Sequence, residues 1–444
     1  MKRAATSLSL LYTCVFSFNA FSQIQGAPRM PSASVAEYRE VKNGIDVLEK
    51  HNFEALHPNP QTPRKIGLVT NQTGVDSSGR RTIDVLANVT GIKLVALFSP
   101  EHGAIGALET TNIGDAVDRR TGIPIYSVFG PTAESRRPPL DIVKNLDTVV
   151  YDVQDVGVRF YTYETTMAYF LEAAAKTGRE LIVLDRPNPI DGIDVQGPVT
   201  DPDQESFVAY GETPVRHGMT VGELAGMYNA ERHISAKLTV VQMEGWRRED
   251  WFDATGQLWI NQSPNMRSLT EATLYPGVCL IERTNVSVGR GTDKPFENVG
   301  APWINPKQLA GYLNSRQIPG VRFVPLYFTP TASWYESQQL GGIYVVLLDR
   351  KTLDSPEMGI EIASALHRLY PRDFDMKSII AIIANKSAVD AINADQDPRL
   401  IAQSWREGLE RFRDVRNKYL LVLSLLLPSD IHLSGTIEQG AIPV

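Results

Sequence analysis

A chain of 444 residues is too long for one ordinary hydrophobic core, so two domains are expected. Hydrophobic residues at 43% and charged residues at 21% describe a globular protein, and a net charge of −7 argues against nucleic-acid binding, which needs a basic face. With only two cysteines, Cys14 and Cys279, a disulfide scaffold and a multi-cysteine metal site are both excluded by count.

The amino terminus reads as a signal peptide over 1–22. Lys2 and Arg3 precede an apolar run from Leu8 to Phe18, and Ala20-Phe21-Ser22 supplies small residues for cleavage. That run is too short to span a bilayer, so an exported protein (periplasmic or secreted) with no stable membrane insertion is expected. Cys14 only loosely resembles a lipid-anchoring position. Residues 23–36 read as a flexible leader, 37–262 as a Rossmann-like catalytic domain, and 263–444 as a second α/β domain completing the cleft.

Helical spacing of Tyr38, Val41, Ile45 and Leu48 predicts a helix over 35–51. Short apolar runs then alternate with helical ones: 66–69, 94–98, 147–151 and 180–184, with a helix over 165–176 that stops at Gly178. Unbroken apolar strands joined through helices imply a doubly wound parallel sheet, covered on both faces. Further along, Thr220 and Glu223 form a capping box, and 238–243 reads as a strand. The stretch 245–300 lacks periodicity and reads as a long functional connection. Asn305-Pro306 and Ser355-Pro356 read as N-cap and N1 pairs, 343–348 as a strand, and 399–420 as one helix with Ile401, Trp405, Leu409 and Phe412 on one face.

Each of the first four strands runs into a polar, turn-rich string: Thr70 to Gly74, Ser99 to Gly103, Asp152 to Gly157, and Asp185 to Pro189. In a parallel sheet all four open on one edge, where α/β proteins bind ligands. Glu101 is the leading catalytic candidate. An isolated strand-end acid usually caps a turn, but Pro100 and Gly103 frame this one beside three other polar strings. A partly dry cleft is what lets a glutamic acid donate a proton to a leaving oxygen. Asp152 or Asp155 is the candidate second carboxylate, the bland alternative being a helix cap, and Glu164 is expected at an exposed helix start. Arg159, Arg186 and Arg290 are either solvated or forks for a substrate carboxylate. His102 and His217 do not form a metal-ligand pattern, so no metal is expected, and His217 is assigned to substrate hydroxyls or an acid. No nucleotide loop or serine-hydrolase elbow occurs, and no cofactor is expected.

Taken together, TNQTGVD, LFSPEHG, YDVQDVGVRFYTY, VLDRPNPIDG, RHGMTVGELA, SPNM, YPGVCLIERTN, GRGTDKPFE and GAPWI resemble, in order, the exo-β-N-acetylmuramidase family, formerly a domain of unknown function. The resemblance runs from Gly44 to Leu421. It implies a Rossmann-like domain joined to a smaller α/β domain. The implied activity is release of N-acetylmuramic acid from the non-reducing end of peptidoglycan fragments, with Glu101 as the catalytic glutamate. By motif it also implies site-lining roles for Asn71, His102, Asp152, Gln154, Arg159, Tyr161, Asn188, His217, Asn265, Glu282, Asn285, Arg290 and Glu297. Arg283 departs from the family's usual EGTN and puts a cation beside the cleft, and the tail to Val444 runs past where relatives tend to stop. A metal-dependent hydrolase using His102, His217 and the aspartates, and a non-catalytic muropeptide-binding protein, are the alternative readings.

Overall fold

The computed structural model describes residues 40–422. The expected signal peptide, leader, Cys14 and the tail beyond 422 lie outside the described residues. The described residues form one unit by contact.

The strands, in chain order, are β1 (Arg64–Thr70), β2 (Ile92–Ser99), β3 (Ala116–Val117), β4 (Pro124–Ser127), β5 (Thr148–Asp152), β6 (Glu180–Leu184), β7 (Gln196–Val199), β8 (Pro214–Arg216), β9 (Lys237–Val241), β10 (Asn298–Ala301), β11 (Val321–Phe328) and β12 (Leu340–Leu347). The main sheet has the order β3-β4-β2-β1-β5-β6-β9, parallel throughout except for β3 at its edge. Counting the six parallel strands as they occur in the chain, the spatial order is 3-2-1-4-5-6, the doubly wound arrangement. Its switch point falls between β1 and β5, where crossovers leave in opposite directions and open a crevice.

Both faces of this sheet are covered, as unbroken apolar strands require. Side chains alternate between two cores: Ile66, Leu68, Val150, Ile182 and Leu184 point to one, and Val69, Val149, Tyr151, Leu181 and Val183 to the other. The second core continues without a break into the carboxyl-terminal half, reaching Ile343 and Val345 of the antiparallel sheet β10-β12-β11 and Phe412 beyond it. One apolar body therefore supports both sheets, which makes the cleft between their loops a fixed feature.

Several expected elements take different bounds. The first helix covers only Gly44–Lys50, because Lys42 pairs with Glu244 as an extended bridge and Asn43 caps the helix with Asp46. The Thr162–Thr177 helix begins three residues earlier than its apolar spacing indicates and ends at Gly178 in the left-handed conformation (φ 67°). The connection 245–300 contains an unforeseen helix, Leu269–Val278, whose interior Pro276 argues against it locally. Its Gly277 packs against Gly359 of the Ser355–Leu369 helix so closely that a methyl at position 359 would lie 2.3 Å from the Gly277 carbonyl oxygen. Tertiary packing overrides the local signal there. The N-cap of the latter helix is Asp354, one residue before the expected one, with Pro356 still in the first turn. The last helix is two, Pro398–Ser404 and Arg406–Arg416, broken at Trp405, which is buried.

Candidate active site

Parallel pairing aligns the strand ends, with Thr70 opposite Asp152 and Ser99 opposite Ser127, so all four polar strings leave the same edge. Three of them, those after β1, β5 and β6, tie to one another. Asp152 is fully buried and accepts Arg186 Nε at 2.6 Å and the Thr82 hydroxyl, while Arg186 Nη2 donates to the Val75 carbonyl. Asn71 Oδ1 accepts the Thr73 backbone N–H and hydroxyl, and Thr73 Oγ1 accepts the Gln154 N–H. Gln154 Nε2 donates to the carbonyls of Asp155 and Pro187. Asn188 spans Met219 and Ile190. In a buried sheet edge these groups must find partners, and they find them across strands. Asn71, Asp152, Gln154, Arg186 and Asn188 thus form the floor behind the site and do not line its cavity. Gln154 and Arg186 open instead on a neighbouring hollow with Asn43 and Gln262.

The cavity, of about 410 Å³, is lined by Glu101, His102, Glu109, Tyr161, Thr162, Tyr163, Ser263, Met266, Tyr275, Arg290, Phe296 and Ser333, among others. It is built from the loop after β2, the start of the Thr162–Thr177 helix, the connection before β10, and the β11–β12 loop. The two halves of the chain each supply walls. Glu101 is half-buried, and its Oε2 accepts the Thr162 hydroxyl at 2.6 Å. Thr162 opens its helix, so Glu101 lies at the helix start, where unsatisfied N–H groups favour an acid. His102 adopts φ 71°, a left-handed conformation uncommon outside glycine. That bend lets its Nδ1 reach the Leu108 carbonyl at 2.8 Å while the Leu108 N–H donates to the His102 carbonyl at 3.2 Å. A carbonyl accepts only, so Nδ1 carries the proton and Nε2 is left as the acceptor in the neutral ring.

The rest of the lining is largely aromatic and cationic. Tyr161 stacks edge-on against Tyr163 and Tyr275, and burial drives its phenol well above the ordinary range. Arg290 lies 5.2 Å from the centre of the Phe296 ring and donates from Nε to Glu282. Burial would raise the Glu282 carboxyl, but the charge and hydrogen bond of Arg290 outweigh it and hold it below its usual value. The pair therefore stays ionised, with the Arg290 guanidinium at the cavity. Glu282 also accepts from Cys279, which is buried and free.

Other expected site residues lie away from the cavity. Arg159 is fully buried and donates to the carbonyls of Pro198, Thr213, Ile382 and Ile383, a structural clamp with no route to solvent. Asn285 ties Asp373 and Asp375, and Glu297 pairs with Lys294 and Tyr344. Asn265 donates from Nδ2 to Glu109 Oε1, behind the cavity wall. Glu109 is a lining acid that sequence reasoning missed, because it lies in a string with no strand, motif or periodicity to mark it.

Asp155, Glu164 and His217 gather behind Tyr161, all three buried, with ligand atoms within 4.8 Å of one another. Glu164, expected at an exposed helix start, is fully buried, with the equally buried His217 facing it from the loop after β8. Burial, then the nearby Glu164, lifts Asp155 to about 7, while burial lowers His217 to about 4. Burial also pushes Glu164 well above its usual value. His217 Nδ1 accepts the Met219 N–H at 3.1 Å, which places the ring proton on Nε2, 3.2 Å from Glu164 Oε2. A metal on Nε2 would require that proton on Nδ1, facing a donor. The donor set suits proton sharing better than metal ligation.

Comparison with known proteins agrees across the chain. The family descriptions "Exo-beta-N-acetylmuramidase NamZ, N-terminal" and "C-terminal" match residues 66–270 and 273–421. The peptidoglycan beta-N-acetylmuramidase NamZ of Bacillus subtilis (strain 168) is 39% identical over 407 residues, covering 90% of this chain and 96% of that protein. A crystal structure of a DUF1343 family protein from Bacteroides fragilis NCTC 9343 superposes with a TM-score of 0.79 at 34% identity, covering 86% of this chain and 99% of that one. A second from the same organism gives 0.68 at 29%, covering 87% and 99%. This chain belongs to the NamZ exo-β-N-acetylmuramidase family.

Proposed function

We propose that this protein is a glycoside hydrolase that releases N-acetylmuramic acid from the non-reducing end of peptidoglycan fragments, with Glu101 as its general acid. The observation that carries this reading is a half-buried carboxyl inside a cavity that Arg290 and aromatic rings also line. N-acetylmuramic acid carries a lactyl carboxylate, which matches a guanidinium kept charged by Glu282, and sugar faces stack on aromatic rings. His102, Tyr161 and Arg290 would contact the sugar. Asn71, Gln154, Asn188, Asn265 and the Asp152–Arg186 pair would hold the floor and wall rigid behind it. Export through the amino-terminal segment would place the enzyme beside its polymer.

Glu101→Gln keeps the shape and the Thr162 hydrogen bond but has no proton to give. Release of N-acetylmuramic acid from a muramic-acid-terminated disaccharide should fall by about 10²–10⁴-fold with unchanged circular dichroism. Full activity in that variant refutes the assignment.

A further inference from the structure

A glycosidase needs an acid for the leaving oxygen and an anion on the other side of the anomeric carbon. Asp152 is committed to Arg186 and Thr82, and Asp155 is buried behind Tyr161, where its Oδ2 accepts the Gly157 N–H. The acids in the cavity wall are Glu101 and Glu109. From the position of these two, we propose that Glu109 is the second carboxylate, the base that activates water. This rests on the reading of Glu101 given above.

Three observations converge on it. The paired bonds between His102 and Leu108 close the loop at its base, so the residues just outside that tie, Glu101 and Glu109, both line the cavity. Asn265, only 3% exposed and 156 residues away in the chain, donates its amide to Glu109 Oε1 and fixes where that carboxylate sits. The surroundings of the two acids differ: Glu101 is half-buried on a hydroxyl, whereas Glu109 is exposed, where solvent water has access.

The chemistry balances as a single displacement. The bond from the anomeric carbon to the leaving oxygen breaks, that oxygen keeps the electron pair, and it takes the Glu101 proton. A water oxygen bonds the anomeric carbon as Glu109 takes one proton from that water. Exchange with solvent then returns both carboxyls to their starting states. The configuration inverts, so a β-linked substrate gives the α-sugar first.

The test uses the full-length protein with Glu109→Ala, Glu109→Gln and Glu101→Gln. Substrates are an activated aryl N-acetylmuramoside and a muramic-acid-terminated disaccharide. Both Glu109 variants should lose about 10²–10⁴-fold in kcat on both substrates, with KM little changed and the thermal midpoint held. Added azide should restore turnover of Glu109→Ala and yield the α-glycosyl azide, and NMR at early times should show the α-anomer from the wild type. Activity of both Glu109 variants within about fivefold of wild type, loss without azide rescue, or a β-anomer formed first each overturns the proposal. Glu101→Gln should harm the disaccharide more than the aryl substrate. If it harms neither while azide still rescues Glu109→Ala, the Glu101 reading fails and Glu109 stands.

Discussion

Asp155 and His217 show how burial, rather than residue type, sets what a titratable side chain can do. Asp155 titrates near 7 in the fold against an ordinary 3.8, so between those values the folded protein keeps a proton that the unfolded chain releases. Stability from this group therefore falls as pH rises through that window, by up to about 1.4 kcal/mol per pH unit. His217 is lowered from 6.5 to about 4, so between those values the unfolded chain takes up a proton the fold refuses, and stability rises with pH. The two slopes oppose each other from about pH 4 to 6.5. Asp155→Asn removes the first. In urea unfolding at pH 4.5 and 6.5, the variant should gain about 1–3 kcal/mol on the wild type between the two conditions. A constant difference would show that Asp155 is already ionised in the fold.

At the scale of elements, the strand ends position chemistry by bracing one another. Gly157 ends the string after β5 at φ 81°, and a methyl there would lie 2.2 Å from Asn188 Oδ1, in the string after β6. Both the left-handed backbone and the close approach demand glycine. Gly157→Ala should cost about 2–4 kcal/mol and lower activity together with stability, because Asn188 must move and the Tyr161–Thr162 helix start follows directly. Thermal unfolding of the variant checks the first part. A midpoint unchanged within 2 °C would show that the turn has slack. The same bracing explains why the four polar strings, expected to share one groove, instead supply one open wall and a buried floor. A buried carboxylate such as Asp152 is costly until paired, and Arg186, in the string after β6, supplies the opposite charge.

Across the whole molecule, the cavity exists because the amino-terminal sheet and the carboxyl-terminal loops share one apolar core. Arg159 adds a polar tie to that core: its guanidinium reaches the Pro198 and Thr213 carbonyls on one side and those of Ile382 and Ile383 on the other. Arg159→Met fills the volume but leaves buried carbonyls without donors. It should lower the free energy of unfolding by about 3–5 kcal/mol, measured by denaturant titration, with loss of activity at temperatures where the wild type is intact. Retained stability would mean that those carbonyls find other donors.

What the sequence by itself determined is whatever depends on local pattern: unbroken apolar strands, the helix stopped at Gly178, the Thr220 capping box, and the polar string that presents Glu101 at a strand end. Motif strings carried the family as well. Only the tertiary structure decided which polar residues face the cavity. Arg159, Asp152 and His217 are as hydrophilic in sequence as Arg290, yet the first three are buried and the last reaches the cavity. Glu109 was invisible because an acid in an aperiodic loop gains meaning only from the His102–Leu108 tie and from Asn265, contacts between residues 6 and 156 positions apart. Periodicity reports which face of an element is apolar, whereas pairing of buried charges is settled by which chain segments meet.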